Sequence, residues 1–236
     1  MHISYSELKT WADCAWKHKL IYIDKVNKFV GNEYTAFGRA LHTLCEHSIE
    51  NKIQEEDYDD FFEVVFEKEL MDLMRKNVEL NEKMTNDMLD QAKKISPQII
   101  PQVVKSFKNY EVYSVEERLY LDIPELDGCK FKGFIDLVLK TDDGKYHIID
   151  WKTCSWGWDA KKRSDKYITY QLTLYKKFFC LKHKIDPKMV ETHFALLKRT
   201  AKKDNVEIFR VTSGPRKIQN ATDLLIKGVR SIVNKA

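Results

Sequence analysis

The chain has 236 residues, 43% hydrophobic and 32% charged, and its 40 Lys/Arg against 36 Asp/Glu leave a net charge of +4. With 12 Phe, 11 Tyr and 5 Trp against only 5 Pro and 8 Gly, the composition excludes a largely disordered chain. A length of this order buries roughly 70% of the unfolded surface, as one large domain or two small ones. No run approaches the roughly 20 apolar residues of a membrane span, and the start Met1-His2-Ile3-Ser4-Tyr5-Ser6-Glu7 has neither the basic segment nor the apolar run of a signal peptide.

The first helix is signalled by Ser4 as a cap with Glu7 completing a capping box, followed by Leu8, Trp11, Ala12, Ala15 and Trp16 at helical spacing. Val30-Gly31-Asn32 is a turn signal, and a second helix is expected over about 34–51. A third is expected over about 59–76, with Phe62, Val65, Phe66 and Leu73 in register. A fourth covers about 86–107, bent or restarted by Pro97 and Pro101. The period then shortens: 112–121, 129–140 and 145–153 are extended, the last two joined by the hairpin signal Asp142-Asp143-Gly144. A helix over about 165–183, strands over 190–198 and 206–211, and a last helix after Ser213-Gly214-Pro215 complete the chain. Strands that follow a helical half predict a mixed α/β protein. The expected division is a mostly helical arm, 1–107, ahead of an α/β core, 108–236, within one domain.

Five cysteines, Cys14, Cys45, Cys129, Cys154 and Cys180, are an odd number with no CxxC pair. That is no disulfide framework, and a reduced, intracellular setting is the expectation. Charge is uneven along the chain. Residues 51–90 carry 13 acidic and 5 basic side chains, net −8, whereas 154–203 carry 13 basic and 4 acidic, net +9. In the basic run Trp156, Trp158 and Tyr167 alternate with Lys161, Lys162, Arg163 and Lys166. Contact to phosphates combined with stacking on bases calls for that mixture, although a solvated surface has it too.

Chemistry concentrates in Gly133-Phe-Ile-Asp136 and Asp150-Trp-Lys152. Alternation along a strand places Ile148, Asp150 and Lys152 on one face. Asp136, across the hairpin, brings a second carboxylate toward the same cation. Hard oxygen donors of this kind suit Mg²⁺ or Mn²⁺, and a charged pair flanked by apolar strand residues needs a reason. Gly38, His42 and Glu46 are four residues apart and share one line of a helix, as do Gln171 and Tyr175.

These motifs together resemble the PD-(D/E)XK nuclease superfamily, in its RecB-like exonuclease branch. Ser4-Tyr-Ser-Glu-Leu8…Trp11…Cys14 is similar to that family's opening helix. Gly38-Arg-Ala-Leu-His42 resembles its GxxxH motif, Gly133–Asp136 its GxxD, Asp150-Trp-Lys152 its DxK form and Gln171-Leu-Thr-Leu-Tyr175 its QxxxY. The resemblance implies a restriction-endonuclease-like core: a mixed central sheet flanked by helices. It implies His42, Asp136, Asp150 and the Trp151 carbonyl as metal ligands, Lys152 as the catalytic lysine, and Gln171 and Tyr175 as substrate-positioning residues. A further acidic position is expected at Glu116 or Glu117, with Glu46 beside it, and Arg39 of the GxxxH motif joins the DNA-binding candidates.

The activity so implied is Mg²⁺- or Mn²⁺-dependent hydrolysis of DNA phosphodiesters, leaving a 5′-phosphate and a 3′-hydroxyl. Exonuclease action on DNA ends or single strands is expected, in recombination, repair or replication, with a helicase or recombination protein as partner and a cytoplasmic or nucleoid-associated location. Some relatives hold an iron–sulfur cluster through an early cysteine and three late ones. Cys14 matches the early position, but no cysteine follows Cys180, so no cluster is expected and Cys14 is expected as a packed helix residue. A structure-selective endonuclease, a non-catalytic nucleic-acid-binding module and a protein-docking domain using the acidic 51–90 face are the alternatives. No residue pattern here separates RNA from DNA.

Overall fold

The computed structural model describes residues 1–26 and 29–233. Its centre is a six-stranded mixed sheet of β1 (His2–Ser4), β2 (Tyr110–Asp122), β3 (Lys130–Thr141), β4 (Tyr146–Cys154), β5 (Val190–Lys198) and β6 (Val206–Val211). The order runs β1-β3-β4-β5-β6, with β2 antiparallel to β3 along its length. β4 and β5 are parallel, which requires a crossover, and the helix expected over 165–183 supplies it as α8 (Lys166–His183).

Helices cover both faces. On one lie α1 (Tyr5–Asp13), α8 and α9 (Pro215–Val233), where Leu8, Phe178, Leu225 and Val229 join Phe131, Ile135, Ile148 and Phe194 of the sheet. On the other lie α3 (Glu33–Ile49), α4 (Tyr58–Met74), α5 (Glu82–Ile95) and α6 (Ile99–Ser106), whose Phe37, Leu41, Phe62 and Ile99 pack with Leu137, Ile149 and Trp151. β4 supplies neighbouring residues to opposite cores, as period two requires. Most of the helical half is therefore one layer of the sandwich.

Local chemistry accounts for the boundaries. Asn32 and Thr35 form a reciprocal capping box at the start of α3, each side-chain oxygen accepting the other's backbone N–H at 2.9–3.1 Å. Gly144 takes φ +77° in the β3–β4 turn, a conformation that costs glycine nothing. Lys184, in the left-handed region, ends α8 before Asp186-Pro187 is reached. The helix expected over 86–107 is two: α5 begins at Glu82, and a 3₁₀ turn containing Pro97 separates it from α6.

The N-terminus departs furthest from expectation. Ser4 caps α1, accepting from the Glu7 N–H at 3.2 Å, but the Glu7 carboxylate turns to the buried His18 at 3.0 Å instead of closing a box. Cys14 is exposed, not packed: its extended backbone, φ −157°, ends α1, and its sulfur caps the short α2 (Ala15–His18). Trp16 is consequently turned outward. α1 crosses α9 where a Cβ on Gly228 would lie 2.5 Å from Leu8 and 3.3 Å from the Trp11 ring. Gly228→Ala should destabilise the fold by about 1–3 kcal/mol through overpacking, despite alanine's better helix propensity. Denaturant unfolding checks it; a gain in stability would show that α1 can shift freely.

Candidate active site

The site starts with an interruption of the sheet. β2 occupies one edge of β3 throughout. On the other edge β1 pairs with Lys130–Lys132 and β4 with Leu137–Lys140, which leaves residues 133–136, Gly-Phe-Ile-Asp, unpaired between them. β3 and β4 separate beyond the Leu137↔Ile149 pair, where a regular ladder would place Asp136 opposite Asp150. The freed Trp151 N–H is taken by Asp136 Oδ2 at 2.7 Å, so a side chain replaces the missing strand partner. The fully buried indole of Trp151 fixes that backbone from the α3 side.

Asp136, Asp150 and Lys152 meet in this fork. Lys152 Nζ lies 2.5 Å from Asp150 Oδ2, and the Asp150 side chain is only 2% exposed. Burial raises the Asp136 pKa well above the ordinary carboxylate range, and the Asp150 charge raises it further, against Lys152 and the Trp151 N–H. Burial alone would lower the Lys152 pKa; Asp150 and Asp136 outweigh it, and the ammonium is held charged. His42 enters from α3, its Nδ1 3.7 Å from Asp136 Oδ2. Burial lowers its pKa to about 4, leaving the neutral imidazole that a metal ligand must be. Asp150 Oδ2 is buried, with the Lys152 ammonium against it. Two buried carboxylates that share a single ammonium, beside a neutral imidazole, are a donor set that fits a divalent cation.

The remaining candidates separate into two groups. Glu116 joins the site: the flanking pairs Val115↔Leu137 and Glu117↔Ile135 put it opposite Asp136. It adopts φ +50°, strained for a side-chain-bearing residue, and faces Glu46. Burial and then Glu116 push the Glu46 carboxyl up to about 7. Glu117 points the other way, bound to Lys182 and to His183 Nε2 at 2.8 Å, so of the two only Glu116 lies at the fork. Arg39 pairs with Glu69 at 2.8 Å on the rim of a cavity of about 700 Å³ that also contains Gly38, His42, Glu46 and Glu116. Gly38 faces Thr153 of β4, whose Oγ1 would be 3.4 Å from an added Cβ.

Gln171 Nε2 donates to Tyr175 Oη at 3.2 Å, and burial raises the Tyr175 pKa. The Tyr175 ring passes so close to Gly133 that a Cβ there would come within 2.8 Å of it, which is why glycine stands at position 133. The basic segment is only partly a surface. Trp158 is buried against Phe194 and Phe209, and Arg163 is spent on Glu207 at 2.7 Å and the Trp158 carbonyl at 2.8 Å, so neither is free to meet a strand. Lys161, on the short α7 (Ala160–Ser164), and Lys166 are exposed, and Lys162 lies 4.8 Å from the Trp158 ring centre. Trp156 is 78% exposed, and Tyr167 is half-buried.

Two residues escaped the sequence reading. Tyr34 separates the 700 Å³ cavity from one of about 410 Å³ lined by Lys83, Gln91, Trp156 and Arg199. The Arg199 guanidinium lies 4.7 Å from the Tyr34 ring centre and bonds Gln91 and Ser155. Tyr34 lies four residues before Gly38, on the Gly38–His42–Glu46 line; extending that line was the available signal. Among the described residues, three metal-ligating side chains bring donor atoms within 4.8 Å of one another only at His147, Glu191 and His193. That set lies near the start of β4, away from the Asp150 end, and only the parallel pairing of β4 with β5 brings it together.

A profile of the PD-(D/E)XK nuclease superfamily matches residues 2–234. The chain belongs to that superfamily and has the RecB-like exonuclease fold. The crystal structure of a candidate exonuclease from Eubacterium rectale is similar to it at a TM-score of 0.61 and 16% identity, over 98% of this chain and 80% of that one. Another, of SSO0001, aligns over 95% of this chain and 84% of that one at 13% identity, with a TM-score of 0.37. None of the curated proteins matches. No cysteine cluster forms among the described residues, all five thiols being free and three of them buried. No described helix is long and apolar enough to cross a membrane.

The contact between Gly133 and Tyr175 is testable. Gly133→Ala should cost about 1–3 kcal/mol of stability, and adding Tyr175→Leu should remove part of that cost. Strictly additive losses in this double-mutant cycle would refute the contact.

Proposed function

We propose that the protein is a metal-dependent deoxyribonuclease acting on DNA ends or single strands. The observation that carries this reading is the fork in the sheet, where the buried Asp150, paired with Lys152, meets Asp136 and His42. The superfamily match and the name of the Eubacterium rectale relative support it. His42, Asp136, Asp150 and the Trp151 carbonyl are the residues that would hold Mg²⁺ or Mn²⁺, with Glu116 and Glu46 as an outer acidic pair. Such an ion supplies charge neutralisation at phosphorus and an activated water.

The chain's own residues do the rest. Lys152 holds a positive charge in a site of low dielectric, where it stabilises negative charge developing on the phosphoryl oxygens far more than it would in water. Tyr175, buried and protonated, offers a hydroxyl hydrogen to a phosphate oxygen, and Gln171 orients it. Asp136 bonds the Trp151 N–H and so fixes the backbone between the two reacting-centre residues, Asp150 and Lys152. The substrate strand leaves past Tyr34 and Trp156, whose exposed rings are platforms for bases, while Lys161, Lys162 and Lys166 meet phosphates. The chain acts as one nuclease unit, 1–107 forming the helical part and 108–236 the catalytic core, alongside a helicase or recombination protein.

End-labelled linear and circular DNA, single- and double-stranded, with Mg²⁺, Mn²⁺ or chelator, tests the reading directly. Linear substrates should be degraded only with metal, and circles should stay whole. Cut circles would favour the endonuclease, and binding without metal-dependent cleavage would favour a non-catalytic module. Asp150→Asn should reduce cleavage by about 10²–10³-fold or more while leaving DNA affinity nearly unchanged; wild-type cleavage by this variant would remove Asp150 from the site. Tyr34→Ala should weaken single-strand binding by about 1–3 kcal/mol with the salt dependence preserved, because stacking releases no counterions. Unchanged affinity would place Tyr34 off the strand path.

A further inference from the structure

The β4 strand that carries Asp150 and Lys152 begins with a histidine the nuclease reading does not use. His147 faces Phe107 of the helical layer, and its Nδ1 lies 3.2 Å from Nε2 of His193 on β5. Both histidines are buried. Glu191, two residues before His193, brings Oε2 to 3.9 Å from the same Nδ1. We propose that His147, Glu191 and His193 form a second metal site, specific for a nitrogen-seeking divalent ion such as Zn²⁺, that clasps the catalytic strand to β5.

The spacing fits. Two nitrogens in a tetrahedral shell with Zn–N bonds of about 2.0–2.1 Å stand about 3.3 Å apart, close to the separation found here. The hydrogen-bond pattern leaves the lone pair in the required place. Thr141 Oγ1 has one hydrogen, and it goes to the Asp143 carboxylate 2.6 Å away, which can only accept. His147 Nε2, 3.0 Å from the same hydroxyl oxygen, must then donate to it, so the neutral ring carries its lone pair on Nδ1, facing His193. A ligating histidine is ordinarily oriented by such an outer chain of hydroxyl and carboxylate. In the ion-free protein His193 Nε2–H fills the gap; with the ion bound, that hydrogen resides on His193 Nδ1.

Electrostatics selects the kind of ion. Glu191 Oε1 is already engaged by Arg210 at 3.2 Å and Lys145 at 3.8 Å, so only Oε2 is left for a ligand. Two cations beside a single carboxylate disfavour an ion held by charge, as Mg²⁺ and Ca²⁺ are, and favour one held by imidazole nitrogen. Burial lowers the pKa of both histidines, that of His193 to about 3, which keeps them neutral and competent to bind. Three protein donors leave the fourth tetrahedral position for a water.

The test uses the full chain, stripped with chelator and titrated with Zn²⁺, and with Co²⁺ as a spectroscopic probe. One equivalent of Zn²⁺ should bind, raise the melting temperature and, as Co²⁺, give the intense visible bands of a tetrahedral site. Asp150→Asn should leave all three results unchanged, which separates this ion from the catalytic one. His193→Gln and the milder Glu191→Gln, which keeps the shape at the half-buried rim, should each weaken Zn²⁺ binding at least 10-fold while retaining a folded circular-dichroism spectrum. Failure of the wild type to bind more Zn²⁺ than His193→Gln overturns the site, as does stoichiometric Zn²⁺ in both variants. Either result leaves the nuclease reading intact, since that is decided by Mg²⁺- or Mn²⁺-dependent cleavage.

Discussion

The arrangement of this protein depends on one missing stretch of hydrogen bonds. β3 is paired at both ends of one edge and unpaired in between, over residues 133–136. Backbone groups in that gap must find partners or pay for desolvation. Asp136 answers by bonding the Trp151 N–H, and the same fork admits His42 from α3 and the Tyr175 ring from α8. A continuous ladder would have closed the space in which these groups from three elements meet.

Charges placed in such a gap are unstable unless they balance. Asp136 and Asp150 repel one another in a poorly solvated space, and Lys152 offsets only part of that repulsion. Glu116, opposite Asp136, and Glu46 add a second strained acidic pair. The flanking hydrophobic layers bear the cost: Trp151, Ile148 and Ile149 are fully buried on either side of the charged positions. Stability in the two cores thus supports a centre that is electrostatically frustrated until positive charge arrives.

Much of this was legible in the sequence, because motif spacing and element period obey the same geometry. Gly38, His42 and Glu46 share a helix face, and Asp150 and Lys152 a strand face, wherever those elements occur, and the long strands and α8 lie within a few residues of their expected bounds. What was not legible depended on tertiary partners. β1 has three residues, too few for any period, and exists because Lys130–Lys132 offer it an edge. Glu116 and Glu117 are equivalent on a strand until a facing helix makes one side the cleft; Glu46 lies on one side and Lys182 and His183 on the other. Trp158 looks like a surface aromatic among lysines, yet Phe194 and Phe209 draw it inward. Cys14 has helical spacing but an extended backbone.

The crossing of α1 over α9 at Gly228 bears on the order of assembly. Leu8 and Trp11 have their seat on a helix that begins at residue 215, and β1 waits for residue 130. During synthesis the first strand and helix emerge long before either partner, so the pairing that bounds the fork closes late and over great sequence separation. A ribosome-bound chain therefore carries His42, Asp136 and Asp150 well before the last helix can lock the layer behind them. Completion of the cleft is in this way coupled to the emergence of α9.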